Sequence, residues 1–133
     1  MSTNAGIALR SGDTYQTIYC HWDGYPKYML PMLQNNYNSV ELAAKLISFG
    51  DASYIDAKLE PTSDYHRFGM PEPGVSMFYH RDRGNNWIEC SPVCYNRTDL
   101  FNQSGFEYIY IFEDGQWNVY KHRKLLTNPL FDY

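Results

Sequence analysis

The stretch Tyr19-Cys20-His21-Trp22-Asp23-Gly24-Tyr25-Pro26 is where the chain turns from strand into helix. Before it, Tyr15 to Trp22 puts Ile18, Cys20 and Trp22 on one face and Thr17, Tyr19 and His21 on the other, the two-residue period of a strand. After it, Asp23 or Gly24 can cap a helix, because a carboxylate accepts hydrogen bonds from the free N–H groups of a first turn, and Pro26 suits an early helical position. Met29, Leu30, Leu33 and Tyr37 recur at helical spacing, which predicts a helix over 27–36 that is irregular as far as Pro31. The octapeptide also gathers an imidazole, a carboxylate, an indole, a Gly and a Pro, so it reads as a candidate site as well as a corner.

Working outward, Ile7 to Arg10 and Tyr15 to Trp22 flank Ser11-Gly12-Asp13 and read as a hairpin. Ser39 is a good N-cap for a second helix whose broad apolar face carries Val40, Ala43, Leu46 and Ile47, and Gly50 suits the residue just past its end. From Asp56 to Gly74, charges and three prolines break every period, which predicts a long surface connection with at most one short strand near Lys58. Val75 to Arg81 alternates like a strand, and Trp87 to Cys90 can begin its partner, limited by Pro92.

The clearest hairpin joins Phe106–Glu113 to Gln116–His122 through Asp114-Gly115, where Gly supplies a positive φ. Tyr108, Tyr110 and Phe112 alternate with Ile109 and Ile111, so this strand is apolar on both faces and belongs inside the sheet or under helices. The tail over 123–133 is basic at its start and is expected to dock through Leu130 and Phe131. The order β-β-α-α-loop-β-(β)-β-β predicts an α+β fold: a mainly antiparallel sheet of four to six strands with two consecutive helices packed on one face. Residues 1–133 are expected to form a single domain.

Thirteen tyrosines supply large rings whose hydroxyls need partners, which suits either a core with polar seams or a recognition face. A net charge of −4 lacks the basic stripe of a general phosphate-backbone binder, and no acidic run is long enough to imitate a nucleic acid. Met1 to Gly6 has no basic segment before an apolar run, and no apolar stretch approaches about 18 residues, so a cytoplasmic protein without a membrane partner is expected. Cys20, Cys90 and Cys94 read as reduced thiols, and Cys90-x-x-x-Cys94 has no second pair to complete a metal site.

His21-x-Asp23 and His80-x-Asp82 share a spacing that on a straight strand lets imidazole and carboxylate converge, as a general base with its orienting carboxylate or as metal ligands. The structural alternative has Asp23 capping a helix, Asp82 held between Arg81 and Arg83, and both histidines as ordinary hydrogen-bonded residues. Arg81-Asp82-Arg83-Gly84 permits anion recognition, and with Tyr79 and Trp22 a nucleotide pocket. The competing use is an internal Arg–Asp network holding the 56–74 connection against the sheet. Gly50-Asp51-x-Ser53 reads as a capped turn in either case, and Lys121-His122-Arg123-Lys124 as a solvated strand end or a partner contact. No nucleophile elbow, phosphate-cradling Gly-Lys loop or His-Glu-x-x-His is present.

The octapeptide, then Leu46-Ile47-x-x-Gly50-Asp51-x-Ser53, then Phe78-Tyr79-x-Arg81-Asp82-Arg83-Gly84, in this order, resembles an uncharacterised family of small proteins encoded largely by bacteriophages and prophages. The resemblance spans residues 15–90 and implies a phage setting without an established enzyme activity. The expectation is an accessory protein that acts by binding a host or defence-system protein, as an anti-CRISPR-like or other anti-defence inhibitor, with no cofactor and no metal. His21, Trp22, Asp23, Tyr79, His80, Arg81, Asp82 and Arg83 are its candidate contact residues. The alternative is a small nucleotide-binding or nucleotide-processing protein with a pocket of His21, His80, Arg81 and Arg83, and a minor virion component is a third reading.

Overall fold

The computed structural model describes residues 2–130. In chain order these form β1 (Ala5–Ser11), β2 (Thr14–Cys20), α1 (Pro26–Asn36), α2 (Val40–Ser48), β3 (Ala52–Tyr54) and β4 (Met77–Phe78). The second half adds α3 (Tyr79–Arg83), α4 (Trp87–Cys90), β5 (Val93–Asn96), α5 (Arg97–Phe101), β6 (Tyr108–Glu113), β7 (Gln116–Lys121) and β8 (Lys124–Leu125).

Turn chemistry sets the hairpins. Gly12 at φ 61° lets Ser11 and Thr14 face each other, so β1 and β2 pair antiparallel. Asp114 at φ 53° and Gly115 at φ 77° close β6 onto β7, the doubly positive link that matches the twist of the strands. Strand β1 is the seam: it also pairs parallel with β6, from Ala5 opposite Tyr108 to Leu9 opposite Phe112. The strand order is β4-β3-β2-β1-β6-β7-β8, with β5 on the first half of β2.

The fold is therefore α+β, and two expectations need correction. The sheet has eight strands and is mixed, since β1–β6 and β2–β3 are parallel. Alternation says which face a residue takes but not which distant strand lies beside it. Second, the run from Val75 is a strand only at Met77–Phe78. The Asp82 carboxylate reaches back to accept the Phe78 N–H at 2.8 Å, starting α3, and Gly84 at φ 85° ends it. Trp87–Cys90 is likewise helical, because Asn86 accepts the Ile88 N–H at 3.2 Å.

Helices α1 and α2 cover one sheet face, and Met29, Leu33, Leu46 and Ile47 pack there with Ile7, Ile18 and Tyr110. Ser39 caps α2 by accepting the Leu42 N–H at 3.1 Å. The other face carries a smaller core of Ala8, Tyr15, Ile109, Ile111 and Tyr120 under Leu100 of α5. Phe106 presses on this face at Gly6, where a Cβ would lie 2.8 Å from the ring. Among the described residues no helix is long and apolar enough to cross a membrane.

The octapeptide ties the two halves of the molecule together. Gly24 N–H donates to Thr3 O at 2.8 Å and its carbonyl accepts the Tyr110 hydroxyl at 2.6 Å, while a Cβ there would sit 2.9 Å from that of Ala5. Asp23 is not the helix cap: it takes φ 60°, and the N-cap of α1 is Tyr25, whose side chain makes no capping bond. Pro26, with no N–H to satisfy, opens the helix instead. Of the two expected tail contacts, Leu130 is exposed and Phe131 lies outside the described residues.

Candidate functional site

Asp51 is the junction from which the site is built. Helix α2 ends on Gly50 at φ 81°, where a Cβ would lie 2.4 Å from Cys90 O, so only Gly brings α4 this close. The next residue then binds three elements: Asp51 Oδ1 accepts the Tyr19 N–H at 2.8 Å, its carbonyl accepts the Tyr79 N–H at 3.2 Å, and its own N–H donates to Cys90 O at 2.8 Å. Strand β2, α3 and α4 meet here as a result.

Burial pushes the Asp51 carboxyl up to about 6, against a partial opposing effect of the Tyr19 N–H. A raised folded-state pKa means the stability belonging to the protonated form is complete below the unfolded value of 3.8 and is lost as pH rises through about 6. Asp51→Asn keeps the acceptor for Tyr19 and removes the charge. It is expected to be more stable than the wild type above that window by about 1 kcal/mol, after allowing for solvent screening of a partly exposed group. Urea melts of both proteins on either side of the window check this; a variant less stable than wild type at neutral pH would contradict it.

Around this junction seven of the eight candidate residues fall into two sets, and the exposed Asp23 belongs to neither. Five of them, His21, Trp22, Tyr79, His80 and Arg83, are exposed or half-buried. The Tyr19 hydroxyl meets His21 Nδ1 at 2.6 Å, and His21 stacks edge-on against Trp22 with centroids 4.8 Å apart. The Trp22 backbone N–H donates to Ser53 O at 2.8 Å. Tyr79 lies 6.1 Å from Phe68, with the Arg83 guanidinium over both rings, and His80 lies 5.1 Å from Trp87. Trp22 is 44% exposed, Trp87 38% and Ile88 85%, so the band is open to solvent.

Arg81 and Asp82 face inward. Arg81 Nε and Nη2 donate to the two Asp82 oxygens at 2.9 and 3.0 Å, Nη1 to Leu59 O at 2.5 Å and Nη2 also to Ser76 O at 3.1 Å. The guanidinium lies over the rings of Phe49 and Phe78. The Asp82 side chain is 4% exposed, and His66 Nε2, itself buried, comes within 3.4 Å of it without hydrogen-bonding geometry. This pair holds the long connection to the sheet, and within the connection Glu72 accepts the N–H groups of Thr62 and Ser63 at 3.0 and 2.7 Å. Hydrogen bonds from Ser63 and Thr62 hold the Glu72 carboxyl well below the usual range.

Neither His-x-Asp pair forms. The partner of His21 is Tyr19, two residues before it, while Asp23 is exposed beyond a positive-φ turn. His80 is on a helix, where residues two apart diverge, and its Nδ1 pairs with Asn85 O at 2.8 Å. Among the described residues no three His, Cys, Asp or Glu side chains gather as metal ligands.

A second polar centre went unseen in the sequence. On the face under α5, Arg97 donates to the Tyr15 hydroxyl at 2.7 Å, the Tyr120 hydroxyl at 3.2 Å and Glu113 at 3.4 Å, while Tyr120 and Asn118 donate to Glu113 at 2.5 and 3.0 Å. Burial opposes ionisation of Glu113, but these hydrogen bonds and the Arg97 charge outweigh it and hold its carboxyl below the ordinary range. Beside this network opens a cavity of 840 Å³, lined among others by Phe101, Phe106, Tyr120, His122 and Arg123. It borders the aromatic band, because Phe106 stacks on Tyr19 at 6.4 Å. The readable signal was Asn96, an N-cap three residues before Asp99, whose N–H it accepts at 2.8 Å; that cap fixes α5 and with it Arg97. Comparison with protein-family models, curated proteins and solved structures finds no match.

Proposed function

We propose that this protein acts by binding a macromolecular partner through the band that runs from Trp22 over Tyr79 and Phe68 to Trp87, as a phage accessory protein that inhibits a component of host defence. The observation that carries the binding role is the exposure of Trp22, Trp87 and Ile88, together with the Arg83 guanidinium over the Phe68 and Tyr79 rings. Exposed aromatic and guanidinium groups of this kind supply the hot spots of protein interfaces. Asp82 is bound to Arg81 and the Phe78 N–H, and His80 Nδ1 pairs with Asn85 O. The phage setting and the defence target come from the resemblance carried by the three sequence elements.

The test is plaque formation on bacterial strains that each carry one defence system. Expression of the wild type restores plaquing on at least one strain, and the defence component co-purifies with it. Trp22→Ala combined with Trp87→Ala abolishes both effects. Rescue by the double variant equal to wild type, or no rescue on any strain, would overturn the proposal.

A further inference from the structure

The 840 Å³ cavity has the size of a small-molecule site. Its apolar surface comes from Phe101, Phe106, Ile109 and Tyr120, its amides from Asn4, Asn102 and Gln103, and its basic groups from His122 and Arg123. A second cavity of 380 Å³ shares Phe101, Asn102 and Arg123 with it and adds Arg97. The two therefore adjoin, with Arg123 common to both. Arg123 hydrogen-bonds Asn102 Oδ1 and, among the described residues, has no carboxylate partner, whereas Arg97 is already engaged with Glu113.

The turn that carries these basic groups is itself informative. His122 takes φ 52° and Arg123 φ 68°, in the two-residue link between β7 and β8. Such a link needs positive φ at both positions, for which Asn-Gly is the low-cost choice, and β-carbon crowding penalises other residues. A His-Arg pair gives up stability at this position and sets two cationic or polar side chains on the cavity. Strain of this kind persists where side-chain identity serves another purpose.

We infer that this cavity binds a nucleoside phosphate. The base stacks on Phe101 and Phe106, since every nucleobase offers a π face to an aromatic ring. The phosphate pairs with the Arg123 guanidinium, whose fork matches it bidentately, with His122 beside it. Asn102 Nδ2 and Gln103 Oε1 offer a donor and an acceptor to the base edge, the other atom of each amide being held by Arg123 and by Asp99 O, and Glu107, the carboxylate of the lining, accepts from ribose hydroxyls. This site uses none of the residues of the Trp22–Trp87 band, and the inference stands or falls apart from the partner-binding reading.

Isothermal titration of the full chain with the four ribonucleoside monophosphates and their 3′,5′-cyclic forms, alongside adenosine and pyrophosphate as separate probes, tests it. At least one nucleotide is expected to bind with a Kd of about 100 µM or tighter, and adenosine and pyrophosphate each about tenfold or more weakly. The double variant His122→Asn/Arg123→Gly should lose about tenfold or more in nucleotide affinity while its Tm rises, because the turn strain is relieved. Arg123→Ala, at an exposed turn, supplies the same affinity readout should the double variant not fold. No binding by any nucleotide, wild-type affinity in both variants, or pyrophosphate binding as tightly as the best nucleotide would each overturn the assignment.

Discussion

Arg81→Ala is expected to cost about 3 kcal/mol or more, the loss typical when one member of a buried ion pair is removed and the other is left uncompensated. Asp82 would keep only the Phe78 N–H and the poorly aligned His66, and the carbonyls of Leu59 and Ser76 would lose their donor. At this chain length that is a fall in Tm of about 10 °C. Protease cleavage should begin within residues 56–74, since this guanidinium ties that connection to β4 and α3. Arg83→Ala removes only stacking over Phe68 and Tyr79 on an exposed face, and is expected to cost about 1 kcal/mol or less. Thermal melts of the two variants compare them directly. Equal shifts would mean that the Arg81–Asp82 pair is not the brace described here.

Gly50→Ala has the second large effect. Its backbone at φ 81° disfavours any β-carbon by about 1–2 kcal/mol, and overpacking adds about 1–3 kcal/mol more. The clash is with the Cys90 carbonyl at 2.4 Å and the Trp87 ring at 3.0 Å, so α4 must shift, and with it one end of the exposed band. Gly115→Ala separates the two contributions, because Gly115 has a similar φ of 77° but open space around its missing side chain. It is expected to cost about 1 kcal/mol. Denaturant midpoints for the pair give the packing cost as their difference, and a Gly50→Ala protein as stable as Gly115→Ala would show that α4 yields freely.

These residues also show which parts of the fold could be read from sequence. Local chemistry was legible: Asp114-Gly115 announced its hairpin, Ser39 and Gly50 bounded α2, and the two-sided apolar pattern of Tyr108 to Phe112 marked a strand buried at every position. Pairing across long separations was not. Nothing in Ala5 to Leu9 names Tyr108 to Phe112 as its parallel neighbour, and the short Ala52–Tyr54 strand is too small to have a period. The Val75 to Arg81 alternation was real, but the Asp82 side chain captured the Phe78 N–H and turned the strand into a helix after two residues. That same capture took Arg81 and Asp82 out of the surface site, as the internal-network alternative for this motif requires. Arg97 and Glu113, sixteen residues apart, carried no mutual signal and meet only because β5 and α5 fold over β2.

The opening octapeptide illustrates the division within one motif. Gly24 is structural, wedged against Ala5 and bonded to Thr3 and Tyr110, and Cys20 is buried in the core. His21 and Trp22 stand outside that corner and start the exposed band.

The most direct measurement is the dissociation constant of the complex with the defence component found by plaque rescue, for wild type and for Trp22→Ala/Trp87→Ala at matched Tm. Two aromatic hot spots worth about 2 kcal/mol each predict a loss of about 100-fold or more for the double variant. A double variant that folds normally and binds within about threefold of wild type would contradict recognition through this surface.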